Sequence, residues 1–384
     1  MKAKLIFLFC CILPIFSFAA DPIRIGLFYG QEFQRATITC VSGQLEVQID
    51  NENITVLSAS EQVDISVVSG QLQLILKGVP RKADKSIKLI SKIYSQYKIQ
   101  PAGLKANSRI YEGHLTAVKA PGRLQLMNTL HLEKYISGVI EAEGGSKHHL
   151  EYYKVQAIIS RTYASSNRRR HELEGFELCD ATHCQVYHGI SRYEPLIKVA
   201  TEMTEDIVIV DESIDLITAA FHSNCGGHTI NAEDAWSKPL SYCVARPDSF
   251  CLVMPNSNWE KSIPAETWKA YLKKKQVTPT DSVFASTQAY FPPTRQFYFA
   301  DSSLKIPNRV IRQDFKLKSA FFTVHEKNDQ VTFIGQGFGH GVGLCQEGAI
   351  RMASLGYNYN EIIHYYYNQV HLIPLRFLWF FKAD

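Results

Sequence analysis

The spacing of apolar residues changes at about residue 131, and that change limits the folds open to the chain. From Ile23 to about Ile99 apolar and polar residues alternate, as in Ile23-Arg24-Ile25-Gly26-Leu27 and Leu45-Glu46-Val47-Gln48-Ile49. This is the period-two pattern of half-buried strands. A hairpin-rich stretch over 110–130 turns at Pro121-Gly122. From 132 to 143 the period becomes helical, with Leu132, Tyr135, Ile136, Val139 and Ile140 on one face. Strands followed by helices predict an α+β fold: a β-rich N-terminal module over 21–108, then a mixed α/β domain over 109–384.

Within the first module Val41-Ser42-Gly43-Gln44-Leu45 recurs as Val68-Ser69-Gly70-Gln71-Leu72. Each copy is a Gly turn leading into an alternating strand, which predicts two similar hairpins; two copies are too few for a solenoid. A second helix is predicted from about Ser146 to Arg168, and strands over 206–210 and 216–220. The proline-rich stretch 253–315 reads as a surface insertion holding one helix around Ala265 to Lys275. Two helices close the chain, from about Gln346 to Leu355 and around Asn360 to Tyr367.

Lys2 and Lys4, an apolar run from Leu5 to Phe18, and the small pair Ala19-Ala20 have the order of a secretory signal peptide. The run is shorter than the roughly 20 residues that span a bilayer. Removal of residues 1–20 is therefore expected, with export to the periplasm or cell envelope. About 365 residues then remain, enough for one large or two medium domains. The chain has 41 basic and 37 acidic residues. So even a balance argues against a nucleic-acid binder held by phosphate contacts. Outside the leader seven cysteines remain: Cys40, Cys179, Cys184, Cys225, Cys243, Cys251 and Cys345. Their odd number leaves at least one thiol free, metal-bound or intermolecular in an oxidising compartment.

Glu143 continues the stripe of the 132–143 helix, roughly 20° from Ile136, whereas Glu141 points nearly the opposite way. Gly144-Gly145 follows and ends the helix. A carboxyl on the apolar face at a helix end is partly desolvated and holds its proton nearer neutrality, as a proton donor must. The segment Gly335 to Gly343 has Gly at every second position. In an extended chain this bares one face to a polymer or to another segment. It lacks the dinucleotide-binding spacing, and it leaves His340 prominent, with Gln346 close behind. Cys179-Asp180-Ala181-Thr182-His183-Cys184 puts two thiols and an imidazole within six residues, near His171 and His188. Tetrahedral Zn²⁺ and a Cys179–Cys184 disulfide both fit this spacing. His222-Ser223-Asn224-Cys225-Gly226-Gly227-His228-Thr229 follows an expected strand and reads as a substrate-contacting loop. A Cys and a His three residues apart cannot set the geometry of a nucleophile and its base.

Together these motifs resemble the SpoIID/LytB family. The matching stretches are LHLEKYISGVIEAEGG (130–145), YYKVQAIISRTYA (152–164), CDATHCQVYHG (179–189), AAFHSNCGGHT (219–229) and the segment from Gly335 to Tyr367. They occur in the family's order over about 110–370. The resemblance implies a peptidoglycan lytic transglycosylase with Glu143 as catalytic acid and base. Here Ala142 and Gly144-Gly145 stand where the family has Ser and Met-Pro. It further implies glycan contacts at Arg161, His222, Ser223, His340 and Gln346, and a zinc or disulfide loop at Cys179, His183 and Cys184. The partners implied are peptidoglycan glycan strands and a cell-wall amidase. The rival reading is a non-enzymatic glycan-binding module that stimulates such an amidase.

Overall fold

The computed structural model describes residues 22–381, apart from 93, 105–107, 193–194, 237, 278–286, 293–294 and 301. The leader at 1–20, with Cys10 and Cys11, lies outside the described residues. Twelve strands open the chain: β1 (Ile23–Leu27), β2 (Arg35–Ser42), β3 (Gln44–Ile49), β4 (Glu52–Ser58), β5 (Gln62–Val68), β6 (Gln71–Leu76), β7 (Val79–Ala83), β8 (Ile87–Ser91), β9 (Gln96–Pro101), β10 (Arg109–Glu112), β11 (His114–Ala120) and β12 (Arg123–Leu130). A thirteenth, β13 (Leu178–Cys179), comes from the later half of the chain. They form two sheets, ordered β13-β1-β12-β11-β8-β3-β4 and β10-β9-β2-β5-β6-β7. Strands on both sides of residue 108 share each sheet. Alternate residues of both sheets, among them Ile38, Ile65 and Tyr97 of one and Leu45, Leu89 and Leu126 of the other, are buried in one core.

Only the second of the repeated five-residue segments is a hairpin. β5 and β6 pair antiparallel through Gly70, whereas β2 pairs with β5 and β9, and β3 with β4 and β8. The first copy thus carries the chain from one sheet to the other. At that crossing Gly43 has φ +70° and no room for a Cβ against Ser95. The Ser95 hydroxyl accepts from the Gln44 amide (3.0 Å) and donates to its carbonyl (2.7 Å). The 121–122 turn is as expected, with Ala120 opposite Arg123.

Three helices follow: α1 (Leu132–Gly144), α2 (Leu150–Ser166) and α3 (Pro195–Met203). Helix α2 starts later than its sequence suggests because Lys147, at φ +66°, cannot be helical. It is buried almost all round from Tyr152 to Thr162, packed against α1, α3 and the C-terminal helices. The expected strand 216–220 is reduced to a single bridge from Leu216 to Val210. Positive φ at Ile214 and Ala219 breaks its extension. The strand Ile207–Val210 forms and pairs with His371–Pro374.

Arg161 was expected at a glycan surface and is instead wholly buried. Its guanidinium makes a bidentate pair with Glu133 (2.7 and 2.5 Å) and donates to the Ile207 carbonyl (2.9 Å). Every direction it can reach is protein, so it braces α1, α2 and the 207–210 strand.

The supposed surface insertion has its own core. Besides α5 (Ala265–Lys274), which follows the short α4 (Ala232–Trp236), it holds the helix Asn308–Asp314 and the strand Asn258–Pro264, which joins a four-stranded sheet with the later strands Phe322–Lys327 and Gln330–Gln336. Trp268 sits at its centre with Phe299, Phe322 and Phe333. No helix among the described residues is long and apolar enough to cross a membrane.

Candidate active site

The stripe Leu132, Tyr135, Ile136, Val139, Ile140 is buried as its spacing requires, and this aims Glu143 inward at the C-terminal end of α1. The loop after the Cys/His segment crosses over that end. Gly138 of α1 and Gly189 of the loop allow the close approach, since a Cβ on Gly138 would run into the Gly189 carbonyl. The Val186 amide then donates to Oε1 of Glu143 at 2.7 Å. Among the described residues no cation pairs with Glu143. Burial pushes its carboxyl above the ordinary carboxylate range, and the Val186 hydrogen bond only partly opposes this. Glu141 faces away and accepts from the Ser191 hydroxyl and the Arg192 amide, both at 2.9 Å.

Gln346, the first residue of the helix Gln346–Ser354, joins this site from more than 200 residues away. Its Nε2 lies 3.5 Å from the Glu143 carbonyl and 3.4 Å from Gln156 Oε1. The buried Nε2 atoms of Gln156 and Gln185 have no hydrogen-bond partner among the described residues. Buried donors are rarely left so, and here they lie on the two segments that flank Glu143. Tyr152 closes the site behind Gly144. Gln156, Gln185 and Tyr152 were not singled out from the sequence. The one available signal was Gln156, a polar residue inside the apolar face of a buried helix.

His222 and His340 come together elsewhere on the molecule, with ring centroids 5.4 Å apart. His222 is buried, its Nδ1 3.1 Å from the Val342 carbonyl and its Nε2 without a partner among the described residues. The strand Phe221–His222 runs parallel to Leu344–Cys345. Ser223, half-buried on this loop, accepts the Glu347 amide on its carbonyl at 2.9 Å. His340 rests against Trp236 in a cavity of about 410 Å³, lined also by Arg295, Phe297 and Arg312. Burial lowers its pKa to about 4, so the ring is neutral at pH 7. Gly335 lies in the strand Gln330–Gln336, whereas Gly337, Gly339, Gly341 and Gly343 have positive φ, from +68° to +117°, and do not continue it. Their bare faces are taken up by the chain itself: Gly337 abuts Asn224, Gly339 abuts His222 and Gly343 abuts the Ala220 carbonyl.

Cys179, His183 and Cys184 converge with a fourth residue, His171; their donor atoms all lie within 4.8 Å of one another. Cys184 Sγ is 3.4 Å from His171 Nε2, and both sulfurs are 3.8 Å from His183 Nδ1. Glu174 holds the other nitrogen of His171 at 2.5 Å, the outer contact that orients metal-bound imidazoles. Two thiols and two imidazoles in this arrangement fit tetrahedral Zn²⁺. The neighbouring Asp180 accepts the amides of Phe28 (2.7 Å) and Tyr29 (2.9 Å) and pairs with Arg109 (2.7 Å). It thereby stitches the loop to β1. His188 takes no part in the cluster. Cys225 and Cys345 are fully buried.

Known proteins resemble this chain in sequence. The family profile described as Stage II sporulation protein, SpoIID, matches residues 120–210, the span of α1, α2 and the Cys/His loop. An uncharacterized protein of Brachyspira hyodysenteriae is 28% identical over 283 residues, 71% of this chain and 74% of its own. Stage II sporulation protein D of Bacillus subtilis is 29% identical over 264 residues, 63% of this chain and 74% of its own. The amidase enhancer of the same organism is 28% identical over 284 residues, 60% of this chain but only 39% of its own length. The family match covers the segment that carries Glu143 and the Cys/His cluster, relatives align well beyond it, and together they support assignment of this chain to the SpoIID family.

Proposed function

We propose that the protein is a peptidoglycan lytic transglycosylase, with Glu143 as its one acid and base. The observation that carries this reading is a half-buried carboxyl, free of any ion pair among the described residues, with one oxygen held by the Val186 amide. Oε2 is then the oxygen from which a proton can be given. Protonated Glu143 donates to the glycosidic oxygen as its bond to C1 of N-acetylmuramic acid breaks. The resulting carboxylate takes the proton of the C6 hydroxyl as that oxygen closes on C1. The products are a free 4-hydroxyl on N-acetylglucosamine and a 1,6-anhydro end. Because the nucleophile belongs to the substrate, the second carboxylate of ordinary glycosidases is not needed.

Cys179, Cys184, His171 and His183 would hold one Zn²⁺, which supplies structural cross-linking of the loop. Cys184 lies two residues before Val186, so the bound loop keeps the amide that orients Glu143. The leader-like residues 1–20 point to export, where glycan strands and a cell-wall amidase are the partners met.

A second reading is favoured by the relative named amidase enhancer: glycan binding without cleavage. Incubation of purified protein with isolated glycan strands separates the two. Anhydro-muramic ends support the transglycosylase, and binding without product supports the enhancer.

A further inference from the structure

A second cluster of metal-ligating groups lies apart from the Cys/His loop. Cys225, Asp248, Cys251 and Cys345 are all buried, and their donor atoms all lie within 4.8 Å of one another. We propose that these four side chains bind a second Zn²⁺, in a site of three thiolates and one carboxylate.

The distances suit ligands sharing one ion. Cys225 Sγ is 3.4 Å from Cys251 Sγ and 3.2 Å from Asp248 Oδ2. A tetrahedral ion with Zn–S bonds of about 2.3 Å sets its sulfurs somewhat under 4 Å apart, well beyond the roughly 2.05 Å of a disulfide. A disulfide would use two of the sulfurs and leave a third thiol beside a buried carboxylate. Asp248 has no ion pair among the described residues, and a buried carboxylate needs a positive partner. It accepts only neutral donors among the described residues, the Tyr366 hydroxyl on Oδ2 at 3.0 Å and the Cys251 amide on Oδ1 at 3.3 Å.

The surroundings of the sulfurs are those of thiolates. Cys345 Sγ accepts the amides of Cys225 (3.3 Å) and Gly348 (3.4 Å), and Cys251 Sγ accepts the amide of Gly227 (3.3 Å). Such N–H donors form the outer shell that tunes metal-bound sulfur. Cys345 also caps the N-terminus of the helix Gln346–Ser354, where the aligned peptide dipoles favour negative charge. Gly348 leaves space for the Asp248 carboxylate, since a Cβ there would collide with it. The buried guanidinium of Arg295 stands nearby, donating to the Cys225 carbonyl at 2.7 Å, and offsets part of the site's negative charge.

The four ligands come from three segments that nothing in sequence holds together: the 222–229 loop, the turn Asp248–Val253 and the strand Leu344–Cys345. An ion here fastens the residue before Gln346, and so sets where Gln346 meets Glu143 and Gln156. The site has a structural role and does not depend on the reaction catalysed.

The test is zinc content per chain in protein purified without chelator, with Cys251→Ser and Cys184→Ser as separate variants. The wild type should carry two equivalents and each variant one, the two losses being independent. Should Cys251→Ser fail to fold, alkylation of the wild type provides the second measurement. Peptides with Cys225, Cys251 and Cys345 should resist reagent until a chelator is added, and none should be cross-linked. A disulfide among these three, their free alkylation without chelator, or a Cys251→Ser variant with the full wild-type zinc content overturns the proposal.

Discussion

The Val186 amide lies 2.7 Å from Oε1 of Glu143, although the two residues are 43 apart in sequence. Val186 belongs to the loop that carries Cys179, His183 and Cys184, and Glu143 to the end of α1. One hydrogen bond therefore couples the candidate acid to the candidate metal loop.

Glu143→Gln keeps size and hydrogen-bonding capacity but removes the proton. General acid-base catalysis contributes roughly 10²- to 10⁴-fold, so release of anhydro-muramic ends should fall by at least that order while glycan binding and folding persist. Glu141→Gln should be nearly silent, because Glu141 faces Ser191 and Arg192. Full activity in Glu143→Gln, or products carrying an added water, would defeat the mechanism.

The pH profile has a definite sign. Burial raises the Glu143 pKa, and the first step needs the protonated form. Thus kcat/KM should hold on the acid side of the raised pKa and decline as pH rises through it. The midpoint should lie above the ordinary value of about 4.3 for a glutamate. A decline centred at or below that value would contradict a desolvated acid.

Cys184→Ser should release one equivalent of zinc and reduce activity, because Val186 loses its anchored loop. If Cys179 and Cys184 are instead found joined to each other in the native protein, the loop is stapled by a disulfide and the metal assignment fails.

Arg161→Ala should act on stability and not on glycan affinity. Removing one member of a buried, hydrogen-bonded ion pair costs roughly 3–5 kcal/mol, which denaturant titration would detect. A variant of unchanged stability with weakened glycan binding would return Arg161 to the substrate surface.

His340→Ala and Gln346→Ala should each weaken strand binding while a slow reaction continues to the same product. The His340 ring, with a pKa near 4, carries no proton to give at pH 7. Abolished turnover with intact binding in His340→Ala would make that residue part of the proton-transfer machinery.

Local pattern alone was enough to place α1, the β11–β12 hairpin and the inward direction of Glu143. Each depends on periodicity or on one turn, and both are properties of neighbouring residues. Cys179, His183 and Cys184 were likewise visible as candidates by spacing. Other features required the tertiary structure. The first copy of the five-residue echo looks like the second, but Ser95 fills the space beside Gly43 and sends the strand to the other sheet. Arg161 reads as a surface cation until Glu133 is placed against it. The stretch 253–315 reads as a surface insertion with one helix because its core partners, Phe322 and Phe333, follow only after it. The same holds for Gln346 at Glu143, for His171 as the fourth member of the cluster with Cys179, His183 and Cys184, and for Asp248 among three cysteines. A sequence shows which side chains can do chemistry. Which of them meet is decided by packing between segments as much as 203 residues apart, and no local period encodes that.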